Sequence, residues 1–303
     1  MNVSRWLSAL GLLVLGGCTT HINAPDTPVR PKHTGFEERL NIRYTPEDWP
    51  ETLHADLYVA ERTSAGPAVL LVHGGGWQGR SRDDMADTAR TLARHGYTTM
   101  NIDYRFAPQY QYPAQLRDLQ QALDWLRRHQ RELAVDPQRI AGFGYSSGAH
   151  LVSLLATVNS SDHPDRAPWN RDQQGLVAVV AGGLPADLGN FDSGRLLKQF
   201  LGGTREDLPE RYRRASPAAW VTADTPPHLL FHGTWDGLVP VAQPRSFRRR
   251  LDDAGVDNQL LLMHGHGHVT SFLFRGTVMD EILGFLESYA RLPESPQSEE
   301  RGE

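Results

Sequence analysis

The segment Gly-Tyr-Ser-Ser-Gly at residues 144–148 constrains the fold of this chain more than any other feature. It follows a strand-like run at residues 139–143 and precedes a helical pattern at residues 149–157. Between a strand and a helix, Gly-x-Ser-x-Gly is typical of a tight turn that projects the central serine above a parallel sheet. Ser146 occupies that central position, so the segment predicts a nucleophilic serine on an α/β framework.

Apolar runs and helical patterns alternate along most of the chain and predict the rest of this framework. Continuous apolar runs such as residues 69–72 suit strands that are buried on both faces of a parallel sheet. The predicted strands span residues 38–44, 54–60, 68–72, 98–103, 139–144, 176–181, 228–232 and 259–263, and the predicted helices span residues 83–95, 113–133, 147–158, 241–254 and 276–292.

The order of these elements predicts the topology. The first two predicted strands have no helix between them, whereas the later strands alternate with helices. This order favours a mostly parallel central sheet that opens with an antiparallel hairpin, with helices on both faces. Residues 185–220 are less regular and lie between two predicted strands, so we expect them to form a small cap over a site.

The length of 303 residues accommodates one large α/β domain. We assign that domain to residues 36–292. Residues 18–35 are polar and proline-containing, which is typical of a flexible, extended tether. Residues 293–303 are acidic and polar without apolar periodicity, and we expect a disordered tail there.

The amino terminus predicts export. Arg5 precedes an apolar run at residues 6–15, which is too short to span a bilayer and matches the core of a signal peptide. The Leu-Gly-Gly-Cys at residues 15–18 resembles a bacterial lipobox, in which the cysteine thiol receives diacylglycerol. This interpretation assigns residues 1–17 to a lipoprotein signal peptide and Cys18 to lipid attachment. A plain secretory signal and an uncleaved anchor are the alternatives, and either one still exports the domain.

The residue after the cysteine bears on localisation. Thr19 stands where an aspartate would resemble the inner-membrane retention signal of Gram-negative lipoproteins. We therefore expect an exported bacterial lipoprotein in the outer membrane of a Gram-negative source, at its periplasmic face or on the cell surface. Because Cys18 is the only cysteine, the chain has no internal disulfide.

The charge distribution argues against a nucleic-acid partner. The formal net charge is −5, so the chain presents no broad basic field. The dense basic cluster at residues 248–250 lies within a predicted helix, and we expect it to be a solvated helix face.

A glycine run supplies a second chemical signal. His-Gly-Gly-Gly-Trp at residues 73–77 ends the apolar run at residues 68–72. Glycines let a backbone approach a reacting carbonyl closely, and N–H groups aimed at its oxygen stabilise the charge that builds there. The residue after the nucleophile, Ser147, is expected to supply a further N–H. A phosphate-binding loop is the competing interpretation, but the Gly-x-x-x-x-Gly-Lys-Ser/Thr pattern is absent.

A serine nucleophile needs a base and a carboxylate that orients the base, and both follow it in the expected chain order. Asp236 lies in a loop after the apolar run at residues 229–231. His264, His266 and His268 follow the strand predicted at residues 259–263, and each can be read as the base. Such a histidine cluster can also bind zinc, but no local carboxylate or cysteine complements it, so we predict no metal site.

These motifs together resemble the α/β-hydrolase superfamily, and within it the esterases with an HGGGW-type loop, such as the bacterial feruloyl and acetyl esterase-like (BD-FAE-like) group. The resemblance covers roughly residues 67–290. The pieces that carry it are residues 73–77, Asp103-Tyr104-Arg105, residues 144–148, Ala215-Ser216-Pro217, Pro226-Pro227 and residues 232–240.

The resemblance implies roles for individual residues. Asp236 corresponds to the acid of the group's HGxxDxxVP motif, and His268 corresponds to the base that closes a Gly-x-Gly-His turn. Gly75, Gly76 and Ser147 correspond to the oxyanion donors. The chain departs from the group in Tyr145 and Ser147 of the serine turn and in the run of three alternating histidines.

Several nearby residues have competing interpretations. Asp103 is the rival acid, although we expect it to pair with Arg105 and to brace the oxyanion turn. His73 is expected to hold the glycine loop through a side-chain hydrogen bond. Trp77, Phe106, Tyr145 and Trp235 are candidates for a pocket lining, although aromatic residues near a core are more often packing.

The resemblance implies hydrolysis of carboxylic esters through an acyl-enzyme, without a cofactor. The expected substrates are small-molecule esters or acetyl and feruloyl esters on polysaccharide. The expected membrane contact is the amino-terminal lipid anchor. The alternatives are amide hydrolysis, as in an arylformamidase or a peptidase, and a noncatalytic lipoprotein that binds a ligand on the same scaffold.

Overall fold

Nine strands of the described residues form one sheet in the order β1-β9-β8-β7-β6-β4-β5-β3-β2. The computed structural model describes residues 19–23, 33–166, 175–192 and 194–290. The strands are β1 (Thr19–Ile22), β2 (Phe36–Arg43), β3 (His54–Ala60), β4 (Gly66–Val72), β5 (Thr98–Ile102), β6 (Val135–Tyr145), β7 (Val179–Gly182), β8 (His228–Gly233) and β9 (Asn258–Met263).

Strands β4 to β9 run parallel to one another, and β1, β2 and β3 pair in the antiparallel direction. In the middle of the sheet, Val72 of β4 lies opposite Ile102 of β5 and Gly144 of β6. The predicted mostly parallel sheet, opened by an antiparallel hairpin of β2 and β3, is therefore confirmed. The carboxyl ends of the central strands meet at one edge of the sheet, as loops that carry sites do in such folds.

Helices cover both faces of the sheet, as predicted. They are α1 (Ala86–Arg94), α2 (Ala114–Arg128), α3 (Ser147–Asn159), α4 (Arg195–Leu201), α5 (Pro209–Arg214), α6 (Ala242–Asp253), α7 (His268–Leu273) and α8 (Met279–Ala290). The apolar stripe of α2 is buried, as its helical spacing predicts; it consists of Leu116, Leu119, Leu123 and Leu126.

The buried residues of β4 show how the core is divided. Leu70 packs in the cluster that α2, α3 and α6 cover, and its neighbour Leu71 packs in the opposite cluster with α1 and α8. Successive side chains of a strand point to opposite faces, so a strand buried on both faces must be apolar throughout. This explains the continuous apolar run that marks the strand in the sequence.

The tether prediction is wrong for its first residues. Thr19–Ile22 form β1, which pairs with β9 and is itself the edge strand of the sheet, and Ile22 packs against the core. The physical reason is that an edge strand presents unpaired N–H and C=O groups, which a neighbouring extended segment can satisfy. Residues 24–32, the predicted signal peptide at residues 1–17, Cys18 and the predicted tail at residues 293–303 lie outside the described residues.

The predicted cap at residues 185–220 contains the short helices α4 and α5. Helix α7 has no predicted counterpart, because six residues after a glycine-rich turn are too few for a visible helical period. No helix in the described ranges combines the length and the apolar character needed to cross a membrane.

Candidate active site

Ser146 lies in the sharp turn between β6 and α3. Its backbone angles are φ 55° and ψ −119°, a conformation that residues other than glycine rarely adopt outside functional turns. The flanking glycines permit this turn because nothing larger fits: a Cβ on Gly144 would lie 2.3 Å from Gly148, and a Cβ on Gly148 would lie 2.1 Å from the carbonyl oxygen of Val72. The Gly-x-Ser-x-Gly spacing therefore forces the serine to the carboxyl edge of the sheet.

Three side chains from separate loops meet at this edge. Nε2 of His268 lies 2.9 Å from Oγ of Ser146, and Nδ1 of the same imidazole lies 2.6 Å from Oδ2 of Asp236. His268 begins α7 after β9, and Asp236 lies in the loop after β8. The structure thus brings together the three residues that the sequence singles out as nucleophile, base and acid, with both imidazole nitrogens engaged.

Backbone donors fix the Asp236 carboxylate. Its Oδ1 accepts hydrogen bonds from the N–H groups of Leu238 at 2.9 Å and Val239 at 2.8 Å. Burial acts to raise the pKa of Asp236, but the hydrogen bonds from His268 and Val239 outweigh it, and the net pKa lies below the usual range. Asp236 is therefore ionised at neutral pH, and its Oδ2 holds the imidazole of His268.

The other two histidines of the run point away from the serine. His264 is exposed, and its Nε2 lies 2.6 Å from Oγ1 of Thr20 on β1. The ring of His266 packs at 5.5 Å from the ring of Phe274. Across the described ranges, no group of three or more His, Cys, Asp or Glu side chains is arranged to hold a metal ion.

The predicted oxyanion donors line the same cavity as Ser146. Gly75 and Gly76 have φ values of 118° and 62°, which glycine adopts without strain. Within the described part of the chain, the N–H groups of these two glycines pair with no backbone acceptor. Ser147 is the first residue of α3, where N–H groups have no acceptor inside the helix. Residues with unpaired N–H groups, from the glycine loop and from the start of α3, therefore line the same cavity as Ser146.

The cavity has a volume of about 560 Å³, and its wall is mainly apolar. The glycine loop, the serine turn, the cap and the start of α7 contribute to it. Apolar side chains in the wall include Trp77, Leu188, Phe191, Leu196, Leu197, Leu238, Val239, Val269 and Phe272, and charged ones include Arg80, Asp84, Asp192 and Arg195. Residues from the predicted cap thus form one side of the site, as expected.

This geometry can be compared with known proteins. The family model named BD-FAE matches residues 55–251. The chain belongs to the BD-FAE family.

Solved structures extend the likeness to the whole α/β-hydrolase fold. A truncated carbohydrate esterase from gut microbiota has a TM-score of 0.69 at 21% identity and covers 86% of this chain and 99% of its own. An esterase of Thermogutta terrifontis has a TM-score of 0.69 at 24% identity and covers 88% of this chain and 95% of its own.

Several sequence relatives of this chain carry the names of ester hydrolases. Esterase LipC of Mycobacterium tuberculosis is 32% identical over 198 residues, which are 62% of this chain and 49% of that protein. An ethyl acetate hydrolase of Pseudomonas putida is 30% identical over 229 residues, which are 72% of this chain and 69% of that protein. The chain thus spans about half the length of its mycobacterial relative.

One residue of the site escapes sequence reasoning in this BD-FAE chain. His150 lies one helical turn after Ser146 and is fully buried. Its Nε2–H donates to the carbonyl of Ala215 at 2.6 Å, and burial lowers its pKa to about 4, although that hydrogen bond acts in the opposite direction. The imidazole is therefore neutral at pH 7. The only signal in the sequence is a histidine four residues after the serine, which alone indicates nothing.

His73 and Tyr145 support the site from beneath. Nδ1–H of His73 donates to the carbonyl of Gly74 at 2.6 Å, which confirms that this histidine holds the glycine loop. The hydroxyl of Tyr145 donates to the backbone carbonyl of His268 at 2.5 Å. Both side chains are buried, so the two loops that flank Ser146 are tied to the core.

The expected pairing of Asp103 with Arg105 is wrong. The carboxylate of Asp103 pairs with Arg82, and the guanidinium of Arg105 binds Asp118 of α2 at 2.8 Å. Asp118 is fully buried, so its carboxylate requires a cation with several donors, and Arg105 supplies both a backbone and a side-chain N–H. Asp103 lies away from Ser146 and is no rival for Asp236. Trp235 is largely exposed and lines no part of the cavity.

Proposed function

We propose that this protein hydrolyses carboxylic esters through an acyl-enzyme on Ser146. The observation that carries the proposal is the continuous hydrogen-bonded line from Asp236 through His268 to Ser146, which opens into a cavity lined by unpaired N–H groups. A base and a carboxylate in this arrangement activate a serine hydroxyl for acyl transfer. The names of the relatives support the same reaction class.

The proposed reaction has two halves. Oγ of Ser146 attacks the ester carbonyl while Nε2 of His268 accepts its proton, and Asp236 stabilises the resulting imidazolium. The carbonyl oxygen becomes an oxyanion that faces the N–H groups of Gly75, Gly76 and Ser147. The intermediate expels the alcohol, which takes the proton from His268. Water, deprotonated by His268, then attacks the acyl carbonyl and releases the acid and free Ser146.

The apolar wall of the cavity supports a substrate with an apolar acyl or alcohol group. A volume of about 560 Å³ accommodates a small acyl chain or an aromatic acyl group such as feruloyl. We therefore propose small acyl esters and acetyl or feruloyl esters as the substrate class. No cofactor enters the proposed reaction.

A fluorophosphonate probe tests the nucleophile. We expect it to label the full chain at Ser146, to label the Ser147→Ala variant equally and to leave Ser146→Ala unlabelled. Ser147→Ala keeps its backbone N–H and is the matched control. An ester panel of graded acyl length, with a formanilide as the amide comparison, tests the substrate class. Labelling at Ser147, or faster cleavage of the formanilide than of every ester, contradicts the proposal.

We also propose that the chain is an exported lipoprotein with diacylglycerol on the Cys18 thiol and a mature amino terminus at that residue. The lipobox-like residues 15–18 after the apolar run at residues 6–15 support this. Because Thr19 follows the cysteine, we propose the outer membrane of a Gram-negative source as its location. Mass spectrometry of the amino-terminal peptide tests the proposal, and Cys18→Ser should abolish the lipid mass. An unmodified cysteine or a different mature terminus contradicts it.

A further inference from the structure

Large apolar side chains are exposed at and beside the mouth of the cavity. Leu196, Leu238 and Val269 line the cavity, yet they are 41%, 56% and 63% exposed. The loop after β8 and the end of α7 continue this surface. Together these residues form what we call the apolar rim, which comprises Leu196, Trp235, Leu238, Val269, Leu273 and Phe274. An exposed apolar surface of this kind around a site usually marks an interaction surface.

Contacts between the two loops hold part of the rim together. The N–H of Trp235 donates to the carbonyl of His266 at 2.9 Å, and the ring of Phe274 packs on the ring of His266. Trp235 nevertheless remains 77% exposed. Exposure of a tryptophan and of neighbouring leucines to water is energetically unfavourable. At a membrane interface the same side chains are stabilised, because indole rings are favoured there.

The register of β1 locates the start of the described chain at this same edge. Thr19 pairs with Met263, the last residue of β9, and β1 runs antiparallel to β9. The chain therefore enters the domain at the carboxyl edge of the parallel strands, where the cavity opens. Residue 18, the proposed lipid attachment, directly precedes the strand at that edge.

Three contacts hold β1 in place, so this entry point is defined. Thr20 bonds to His264, His21 lies 3.5 Å from Glu281 of α8, and Ile22 packs against the core. A lipid on Cys18 consequently holds the mouth of the cavity close to the bilayer, whereas a long tether would leave its orientation free.

We propose that the apolar rim rests on the lipid bilayer and that the cavity takes its ester substrates from the membrane surface. This inference rests on the proposed ester hydrolysis and on the proposed lipid attachment. The occupant is a lipid surface because the anchored end of the chain and the rim lie at one edge of the sheet. The six residues of the rim are apolar, so we expect their binding to depend mainly on apolar burial.

A fluorescent label tests the orientation. The full chain is reconstituted in phosphatidylcholine vesicles after an NBD dye is attached to a cysteine at residue 273 (Leu273→Cys) or residue 40 (Leu40→Cys). Leu40 is the matched control because it is a leucine exposed to 53% on β2, at the opposite end of the sheet from β1. We expect blue-shifted emission and quenching by doxyl-labelled acyl chains at residue 273 and neither effect at residue 40. Equal emission and quenching at the two positions overturns the inference.

The same preparations separate the inference from the proposals beneath it. The parent chain takes up the thiol dye only if Cys18 carries no lipid, so its labelling contradicts the anchor. Hydrolysis of water-soluble p-nitrophenyl acetate by the parent chain reports the esterase activity independently of the membrane. If the rim does not dock, the two dye positions give equal signals. If the anchor is absent, the parent chain takes up the dye, and if the esterase proposal is wrong, p-nitrophenyl acetate is not hydrolysed.

Turnover supplies a second test. The double variant Leu273→Gln/Phe274→Gln should hydrolyse a long-chain p-nitrophenyl ester dissolved in the vesicles about tenfold more slowly than the parent chain. It should hydrolyse p-nitrophenyl acetate at the parent rate, because neither residue lines the cavity. Leu40→Gln should leave both rates unchanged. An unchanged rate on the vesicle-borne ester, or an equal loss on both esters, contradicts the docking role.

Discussion

The indole N–H of Trp77 donates a 3.3 Å hydrogen bond to Nδ1 of His150, which joins the glycine loop to the helix that follows Ser146. Trp77 has φ 61°, so its backbone needs support. The indole also stacks on the ring of Phe200 of α4 at a centroid distance of 4.5 Å. His150 in turn donates to Ala215, so a single neutral imidazole connects the loop, the helix and the cap.

We predict that His150→Leu lowers kcat/KM by about 10- to 100-fold, because the loop that carries Gly75 and Gly76 loses its anchor and shifts relative to Ser146. His150→Gln should retain most of the activity, since a glutamine oxygen can accept the indole proton. Steady-state kinetics on p-nitrophenyl acetate measures both variants. Equal rates for the leucine and glutamine variants would show that the hydrogen bond does not position the loop.

The glycine loop allows a sharper test with a built-in control. A Cβ on Gly75 would lie 2.2 Å from the carbonyl oxygen of Gly79, and its φ of 118° is unfavourable for other residues. A Cβ on Gly79 meets nothing within 4 Å. Alanine keeps the backbone N–H, but its Cβ forces the loop to shift, so we expect Gly75→Ala to misplace the oxyanion donors and to lower kcat by about 10²- to 10³-fold. Gly79→Ala should keep near-parent activity, and comparable losses in the two variants would be inconsistent with an oxyanion role for this loop.

The positions of Ser146 and Asp236 could be predicted because each follows a strand and belongs to a motif whose spacing is set by local turns. The base could be narrowed to three alternating histidines, among which the resemblance to the BD-FAE-like group favours His268. The partner of Arg105 could not be predicted. The pair forms because α2 packs against the segment that contains Arg105 and buries Asp118 beside the guanidinium, and no local sequence pattern encodes this packing. Polar residues that act through distant contacts, such as His150, escape for the same reason.

Strand β1 shows a different limit of sequence reasoning. Thr19–Ile22 has no strong strand pattern, and the sequence does not reveal that one side of β9 would be unpaired without β1. Strand formation at residues 19–22 therefore depends on the neighbouring strand β9 more than on the composition of the segment itself. The helices α4 and α5 of the cap are short and escape prediction because their formation depends on tertiary packing.

Buried histidines should make the protein sensitive to mild acid. Burial lowers the pKa of His228 to about 4, although its hydrogen bond to Pro226 acts in the opposite direction. The ordinary value in an unfolded chain is about 6.5. Between these values the unfolded state binds more protons, so the stability contribution is fully present above pH 6.5 and is lost as the pH falls towards 4. With a shift of this size, His228 lowers the free energy of unfolding by about 2 kcal/mol between pH 7 and pH 5.

Urea denaturation of the parent chain and of His228→Leu at pH 7 and pH 5 checks this prediction. The variant has no imidazole to protonate at this position, so its loss of stability between the two pH values should be about 2 kcal/mol smaller than that of the parent. The comparison uses the difference between pH values, so a general destabilisation by the substitution does not affect it. A parent and a variant with the same pH dependence would show that His228 remains solvated enough to protonate in the folded state.

The choice among the three histidines gives the last prediction. A general base must lie within hydrogen-bond reach of the hydroxyl that it deprotonates, and only His268 of the run meets this condition, at 2.9 Å from Oγ of Ser146. His266 contacts Phe274, and His264 contacts Thr20. We therefore expect His268→Ala to lower kcat by about 10⁴- to 10⁶-fold and His266→Ala to lower it by less than about tenfold.

Asp236→Asn should lower kcat by about 10⁴-fold, because the amide cannot hold the imidazole in the required tautomer or stabilise its charge. Both Asp236→Asn and His268→Ala should retain the parent circular dichroism spectrum, since His268 is not part of the core and asparagine keeps the shape of the aspartate. Rates on p-nitrophenyl acetate, measured with the His266→Ala variant as the matched control, decide the assignment. If His266→Ala proves as inactive as His268→Ala while its fold is intact, the base is not His268 alone and the proposed proton path must include the neighbouring imidazole.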